Sequence, residues 1–200
     1  VGQEHLLGCE CPLRVAIEED KIASFIFWGP PGTGKTTLAH LIAHHSDAHF
    51  EPLNASTTGV PELRKQIAKS EERLRYNGQR TILFLDELHR FNKAQQDFLL
   101  SFVENGILLL IGATTENPSF EVNSPLLSRM QVYGFEPLRP EHVGQIVKRA
   151  LRDEGRGLAR YQPVVSEEGM KALIHIADGD IRLALNAVEL CVQFLSLIHI

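Results

Sequence analysis

Three cysteines in 200 residues are too few for a disulfide framework. Cys9 and Cys11 form a single C-x-C with no second pair, short of the four ligands of a structural zinc site. This cysteine usage is that of a reduced, cytoplasmic chain. No apolar run approaches the ~18 residues of a membrane span. Val1–Arg14 has neither the basic start nor the apolar stretch of a signal peptide. An excess of positive charge is also missing, because 20 Lys and Arg face 25 Asp and Glu for a net −5. That excludes one large basic surface for nucleic acid and leaves a local patch, or contacts shared among subunits around a ring. There is no internal repeat and no initiator Met, and the chain reads as a fragment.

What is present is ordinary globular composition, 44% hydrophobic and 22% charged. From about residue 22 to 136, short apolar runs alternate with amphipathic stretches. Strands are expected at Ile22–Trp28, His49–Asn54, Thr81–Leu85, Leu108–Ala113 and Gln131–Phe135. Helices are expected at Lys35–His45, with Leu38, Leu41 and Ile42 on one face, at Pro61–Tyr76, and at Lys93–Glu104. Asn92 and Gln95 are spaced as a capping box for the last of these. Strands apolar throughout and separated by helices imply a parallel sheet covered on both faces. From Arg139 the pattern is helical only: Pro140–Asp153, Glu167–Ala177 behind Ser166 as N-cap, and Asp180–Phe194, with a Gly- and Arg-rich loop at Arg152–Pro163.

Gly29-Pro30-Pro31-Gly32-Thr33-Gly34-Lys35-Thr36 fits G-x-x-x-x-G-K-[ST], with a strand before it and a helix after it. The residue types suit the chemistry. Glycines let backbone N–H groups converge on phosphate oxygens, and the positive end of the following helix faces the same anion. Lys35 reaches the β- and γ-phosphates, Thr36 offers its hydroxyl to Mg²⁺, and Thr37 follows in the first helical turn. The Thr81–Leu85 strand delivers Asp86 and Glu87 to its C-terminal end, where open α/β sheets bind ligands. Asp86 is expected in the Mg²⁺ shell and Glu87 as the base that polarises the attacking water. Thr114-Thr115 ends the next apolar strand and could orient that water, and Asn54 ends the second strand in similar fashion.

With these residues in view, the chain resembles an AAA+ ATPase of the clamp-loader branch, through its phosphate loop, LFLDE of 83–87, GATT of 112–115 and SRM of 128–130. The stretches from His89 to Asp97 and from Gly112 to Phe120, and the opening VGQEHL, are similar to the replication-associated recombination protein A family. That resemblance covers about residues 1–194. It implies an α/β P-loop NTPase domain, residues 1–137, with a five-stranded parallel sheet, followed by a small helical lid at 138–200. It further implies Val1 and Gly2 near the adenine, Thr115 as first sensor, Arg129 as a finger for a neighbour's ATP, and Arg182 reaching the γ-phosphate from the lid. Asn54 matches the position that couples DNA binding to Glu87 in clamp-loader relatives.

ATP and Mg²⁺ are the implied cofactors, with ATP preferred over GTP on the resemblance alone. The implied partners are forked or single-strand-ended DNA, repair proteins such as single-strand-binding protein, and further copies of the chain, a tetramer in the family. The implied location is the cytoplasm, or the nucleus in a eukaryote. A nucleotide-gated binding switch and a Holliday-junction branch-migration motor are the alternatives. Glu87 speaks against the first and the His89–Asp97 stretch against the second. Leu195–Ile200 does not resemble the family's continuation and reads as a truncation or assembly artefact.

Plainer roles suit other residues. His40, His44 and His45 lack a third metal ligand on one face and read as surface or packing groups. His89 suits capping and packing, with Arg90 able to face a DNA channel. The basic run from Arg139 to Arg160 is a solvated face by default and a DNA-facing patch in the alternative. Phe91, Phe98 and Phe102 read as packing residues, and Trp28 as a buried strand end.

Overall fold

The strand Phe25-Ile26-Phe27-Trp28 is central to the fold because its apolar side chains serve both faces of a sheet. The computed structural model describes the backbone of residues 1–198 and the side chains of residues 1–194. The side chains of the tail Leu195–Ile200, read above as foreign to the family, lie outside the described residues. In chain order the elements are α1 (Glu4–Leu7), α2 (Pro12–Glu18), β1 (Phe25–Trp28), α3 (Lys35–His45), β2 (His49–Asn54), α4 (Val60–Asn77), β3 (Thr81–Asp86) and α5 (Lys93–Glu104). They continue with β4 (Leu108–Thr114), α6 (Pro118–Glu121), α7 (Ser124–Leu127), β5 (Gln131–Gly134), α8 (Pro140–Arg152), α9 (Glu167–Ala177) and α10 (Ile181–Ile198). The five strands form one parallel sheet in the order β2-β3-β4-β1-β5. Parallel order needs a crossover between strands, and helices supply it while covering the sheet faces.

The chain forms two compact units. One comprises His5–Gly29 and Gly34–Phe135; the other comprises Val1–Glu4, Pro30–Thr33 and the chain from Glu136 onward. In the sheet unit, one core packs Phe25, Phe27, Ile82, Phe84 and Ile111 against Leu38, Ala39 and Ile42 of α3. The opposite core packs Ile26, Leu83, Leu85 and Leu110 against Leu63 and Ile67 of α4 and Leu99 of α5. In the helical unit, Val143 and Val147 of α8, Leu173 and Ala177 of α9, and Ala184 and Val188 of α10 make a smaller core.

The expected capping box is present: Asn92 Oδ1 accepts the Gln95 N–H and Gln95 Oε1 accepts the Asn92 N–H. Three readings need correction. The first strand starts at Phe25 rather than Ile22, because the Ser24 hydroxyl takes the Leu110 N–H that a strand carbonyl would otherwise accept. Leu41 is 59% exposed, since α3 presents its Leu38/Ala39/Ile42/Ala43 stripe to the sheet. Trp28 is 37% exposed, because it is the last residue of β1 and stands at the C-terminal edge of the sheet beyond its buried middle. No described helix is long and apolar enough to cross a membrane.

Candidate nucleotide site

Parallel strands bring all their C-terminal ends to one edge, and the register decides which residues become neighbours there. Asn54 pairs with Asp86, Leu85 with Gly112, and Trp28 with Thr114. The sheet unit therefore gathers Gly29, Asn54, Asp86, Glu87 and Thr114 at the edge that carries the N-terminus of α3. β1 is flanked by β4 and β5, which follow it by long crossovers. This is the topological switch where an open α/β sheet binds its ligand.

The phosphate loop leaves β1 through Gly29, whose φ of +150° places it against β5's exit. A Cβ there would lie 2.4 Å from the Phe135 carbonyl oxygen. It re-enters helix through Gly34, left-handed at φ +98° with open space around its Cα. Lys35, at the first position of α3, is buried, and its Nζ donates to the Gly29 carbonyl at 2.8 Å. Thr36 and Thr37 follow it and are exposed. Among the apical residues, Thr33 Oγ1 donates to the Pro30 carbonyl at 2.9 Å, while Pro31 is exposed.

Asp86 Oδ1 accepts the Glu87 N–H at 3.0 Å. Glu87 itself is left-handed, φ 57° and ψ 38°, a conformation that costs a residue bearing a Cβ roughly 1–2 kcal/mol. The turn is held because the Glu87 carbonyl accepts the Arg90 N–H at 2.8 Å, closing a single 3₁₀ turn at Leu88–Arg90. Beneath it, Leu88 is fully buried against Gly112, where a Cβ would meet Leu88 Cδ2 at 2.6 Å. Glu87 Oε2 lies 3.3 Å from His89 Nε2. Of the threonine pair, Thr114 is buried and Thr115, next along, is exposed at the edge. Asn54 turns back on its own chain, its Oδ1 accepting the Ser56 N–H at 2.8 Å. Arg129 lies exposed on the loop between α7 and β5, ion-paired with Glu104 and donating to Ser128 Oγ at 2.8 Å.

The helical unit holds the remaining expected residues. Val1 is exposed and Gly2 is buried at φ +75°, where a Cβ would lie 2.8 Å from Leu138 Cδ2. Gln3 anchors this segment by reading one peptide as a second peptide would. Its Nε2 donates to the Glu136 carbonyl at 2.7 Å and its Oε1 accepts the Glu136 N–H at 3.0 Å. Gly32 is approached so closely by Asp180 that a Cβ would fall 1.8 Å from Oδ1, and its carbonyl accepts the Ile181 N–H at 3.4 Å. The same carboxylate caps α10 through the Arg182 N–H at 2.9 Å and grips the Arg182 guanidinium through Nη2 at 2.7 Å.

Mg²⁺ needs hard oxygen donors and keeps several waters. The Thr36 hydroxyl and the Asp86 carboxylate are of that kind. The donor set fits the ion. Sequence reasoning passed over His89 as a neighbour of Glu87 and Thr114, and Asp180 as the partner of Gly32 and Arg182. The parallel β3–β4 register is the signal for the first, since it sets the residues after Leu85 beside those after Gly112. No spacing signals the second, which joins residues 148 positions apart.

The description "ATPase family associated with various cellular activities (AAA)" matches residues 25–138. Replication-associated recombination protein A of Haemophilus influenzae is 48% identical over 192 residues, which are 96% of this chain and 43% of that protein. The ATPase WRNIP1 of Dictyostelium discoideum is 42% identical over 96% of this chain and 22% of its own length. Among solved structures, the Thermotoga maritima RuvB Holliday junction branch migration motor superposes with a TM-score of 0.78 at 26% identity, covering all of this chain and 64% of that one. The chain thus spans under half the length of these curated relatives.

Proposed function

The chain belongs to the ATPase family associated with various cellular activities, and from that membership we propose that it binds ATP with Mg²⁺ and hydrolyses it. We place that activity in DNA replication, recombination or repair, with action at stalled or damaged forks, which the similarity to replication-associated recombination protein A supports. The observation that carries the hydrolase reading is Glu87. Its carboxylate stands at the C-terminal end of β3, at the sheet edge shared with Lys35, in a strained turn that a binding module has no need to maintain.

In this reading Lys35 leaves the Gly29 carbonyl for the β- and γ-phosphates, and Pro30, Pro31, Gly32, Thr33 and Gly34 wrap them with backbone N–H groups. Thr36 and Asp86 hold Mg²⁺, which when bound neutralises charge on the phosphate oxygens. Glu87 takes a proton from water as its oxygen bonds to the γ-phosphorus, and the bond to the bridging oxygen breaks to release ADP. Thr115 orients the water, Val1 and Gly2 border the adenine, and Arg182 contacts the γ-phosphate. Arg129 serves a neighbouring copy's ATP, a role that its exposure supports. The functional boundary falls at residues 137/138, with the later helices acting as a lid, and the protein works as a cytoplasmic oligomer on DNA.

The test is phosphate release across protein concentrations, with and without duplex DNA bearing a single-stranded end. The rate per chain should rise with concentration and DNA, and Glu87→Gln should lower it by about 10²–10⁴-fold while ATP still binds. Full activity in Glu87→Gln would overturn the base assignment. Tight ATP binding with no turnover by assembled protein would favour the switch.

A further inference from the structure

His89 is enclosed: its side chain is 9% exposed, and both ring nitrogens are engaged by groups from different parts of the sheet edge. Nδ1 lies 3.0 Å from Thr114 Oγ1 and Nε2 lies 3.3 Å from Glu87 Oε2. Thr114, buried at the end of β4, accepts the Glu116 N–H at 3.0 Å on the same hydroxyl. These contacts form one directed chain when the imidazole is neutral. The Glu116 N–H donates to Thr114 Oγ, Thr114 O–H donates to Nδ1, and the Nε2–H donates to Glu87. The alternative acceptor for the Thr114 proton, the Glu116 carbonyl, is farther away at 3.3 Å.

We propose that His89 is the positioning residue of the hydrolytic base, linking the end of β4 to the Glu87 carboxylate. The proposal rests on reading Glu87 as that base. With Oε2 bound by imidazole, Oε1 is the oxygen that receives the water's proton.

A structural role alone would not separate the following measurements. His89→Ala should lower kcat by about 10- to 100-fold, the effect of one buried hydrogen bond to a charged group, with KM and affinity for ATP held within roughly twofold. His89→Gln, which still offers an N–H near the Nε2 position, should recover a large part of the loss. Thr114→Val should reproduce a smaller fall in kcat. Independently of turnover, long-range ¹H–¹⁵N spectra of the full chain should show His89 as the Nε2–H tautomer, with its Nε2 signal moved by Glu87→Gln. Wild-type rate in His89→Ala beside a dead Glu87→Gln would overturn this inference and leave the hydrolase reading standing. An active Glu87→Gln would overturn that reading instead. Equal rates for His89→Gln and His89→Ala, or an imidazole unmoved by Glu87→Gln, would also overturn the link.

Discussion

The sheet unit and the helical unit hold their functional side chains in opposite ways. In the first, Lys35 is buried and His89 largely enclosed, both already hydrogen-bonded, and Glu87 is fixed by a closed turn above a tightly packed Leu88. In the second, Arg182 is 64% exposed and held by a surface pair with Asp180. Packing follows the same division. The inner strands β1, β3 and β4 are largely buried on both faces, whereas the helices leave Ile176, Leu183, Leu190 and Phe194 half or more exposed. An apolar cavity of about 650 Å³ lies between α9 and α10, lined by Leu173, Ile176, Val188 and Cys191. A rigid, dry surround fixes a catalytic group to within a fraction of an ångström, while an exposed pair can be exchanged for a ligand at little cost. In the proposed function the fixed groups of the sheet unit suit chemistry, and the exchangeable pair of the helical unit suits a response to ligand.

That contrast breaks first at the phosphate contacts. Lys35→Ala removes a buried, pre-set ammonium and should weaken ATP binding by 100-fold or more, an estimate of roughly two charge-assisted hydrogen bonds. Arg182→Ala should weaken it by only about 10-fold, since Arg182 must first leave Asp180. Titration with a fluorescent ATP analogue measures both, and equal losses would erase the distinction.

The cores offer a second comparison. Leu85 is fully buried in the middle of the sheet, so Leu85→Ala should cost about 3–5 kcal/mol. Leu173 borders the cavity and can relax into it, so Leu173→Ala should cost about 2 kcal/mol. Urea unfolding followed by circular dichroism would show it. A larger loss at Leu173 would mean that the helical unit carries the stability.

The smallest effect is electrostatic. Backbone N–H groups of Arg156 and Gly155 bond the Asp153 carboxylate and hold it below the usual carboxylate range. A folded value below the unfolded one stabilises at pH above the unfolded value, near 3.8, and that contribution is lost as pH falls through the folded value. The group is fully exposed, so the effect is small. The carboxyl ¹³C titration of Asp153 should have its midpoint under 3.8, and a midpoint at or above it would show that the turn is not formed.

Much of the sheet unit was legible before any coordinates. β2, α3 and α5 fall where periodicity and caps place them, because those signals lie within one element. The phosphate loop and the Asp86-Glu87 pair are equally local. Burial at the sheet edge was not legible: an apolar residue ending a strand looks like core, yet Trp28, at the C-terminal end of β1, is exposed. Helix faces were only half legible, since a repeat of 3.6 residues admits Leu41 or Ala39 into the stripe. The flat sheet surface selects the small residue.

Taken alone, the sequence determined the identity of the elements, the α/β class and the two motifs that bind and hydrolyse a triphosphate in the proposed function. Each depends on residues within a few positions of one another. Tertiary structure decided the strand order, the choice of Thr114 as the buried threonine, the clasp of His89 on Glu87, and the approach of Asp180 to Gly32. The His89–Thr114 and Gly32–Asp180 pairings span 25 and 148 residues, and only parallel register and close packing choose among the partners a chain could offer.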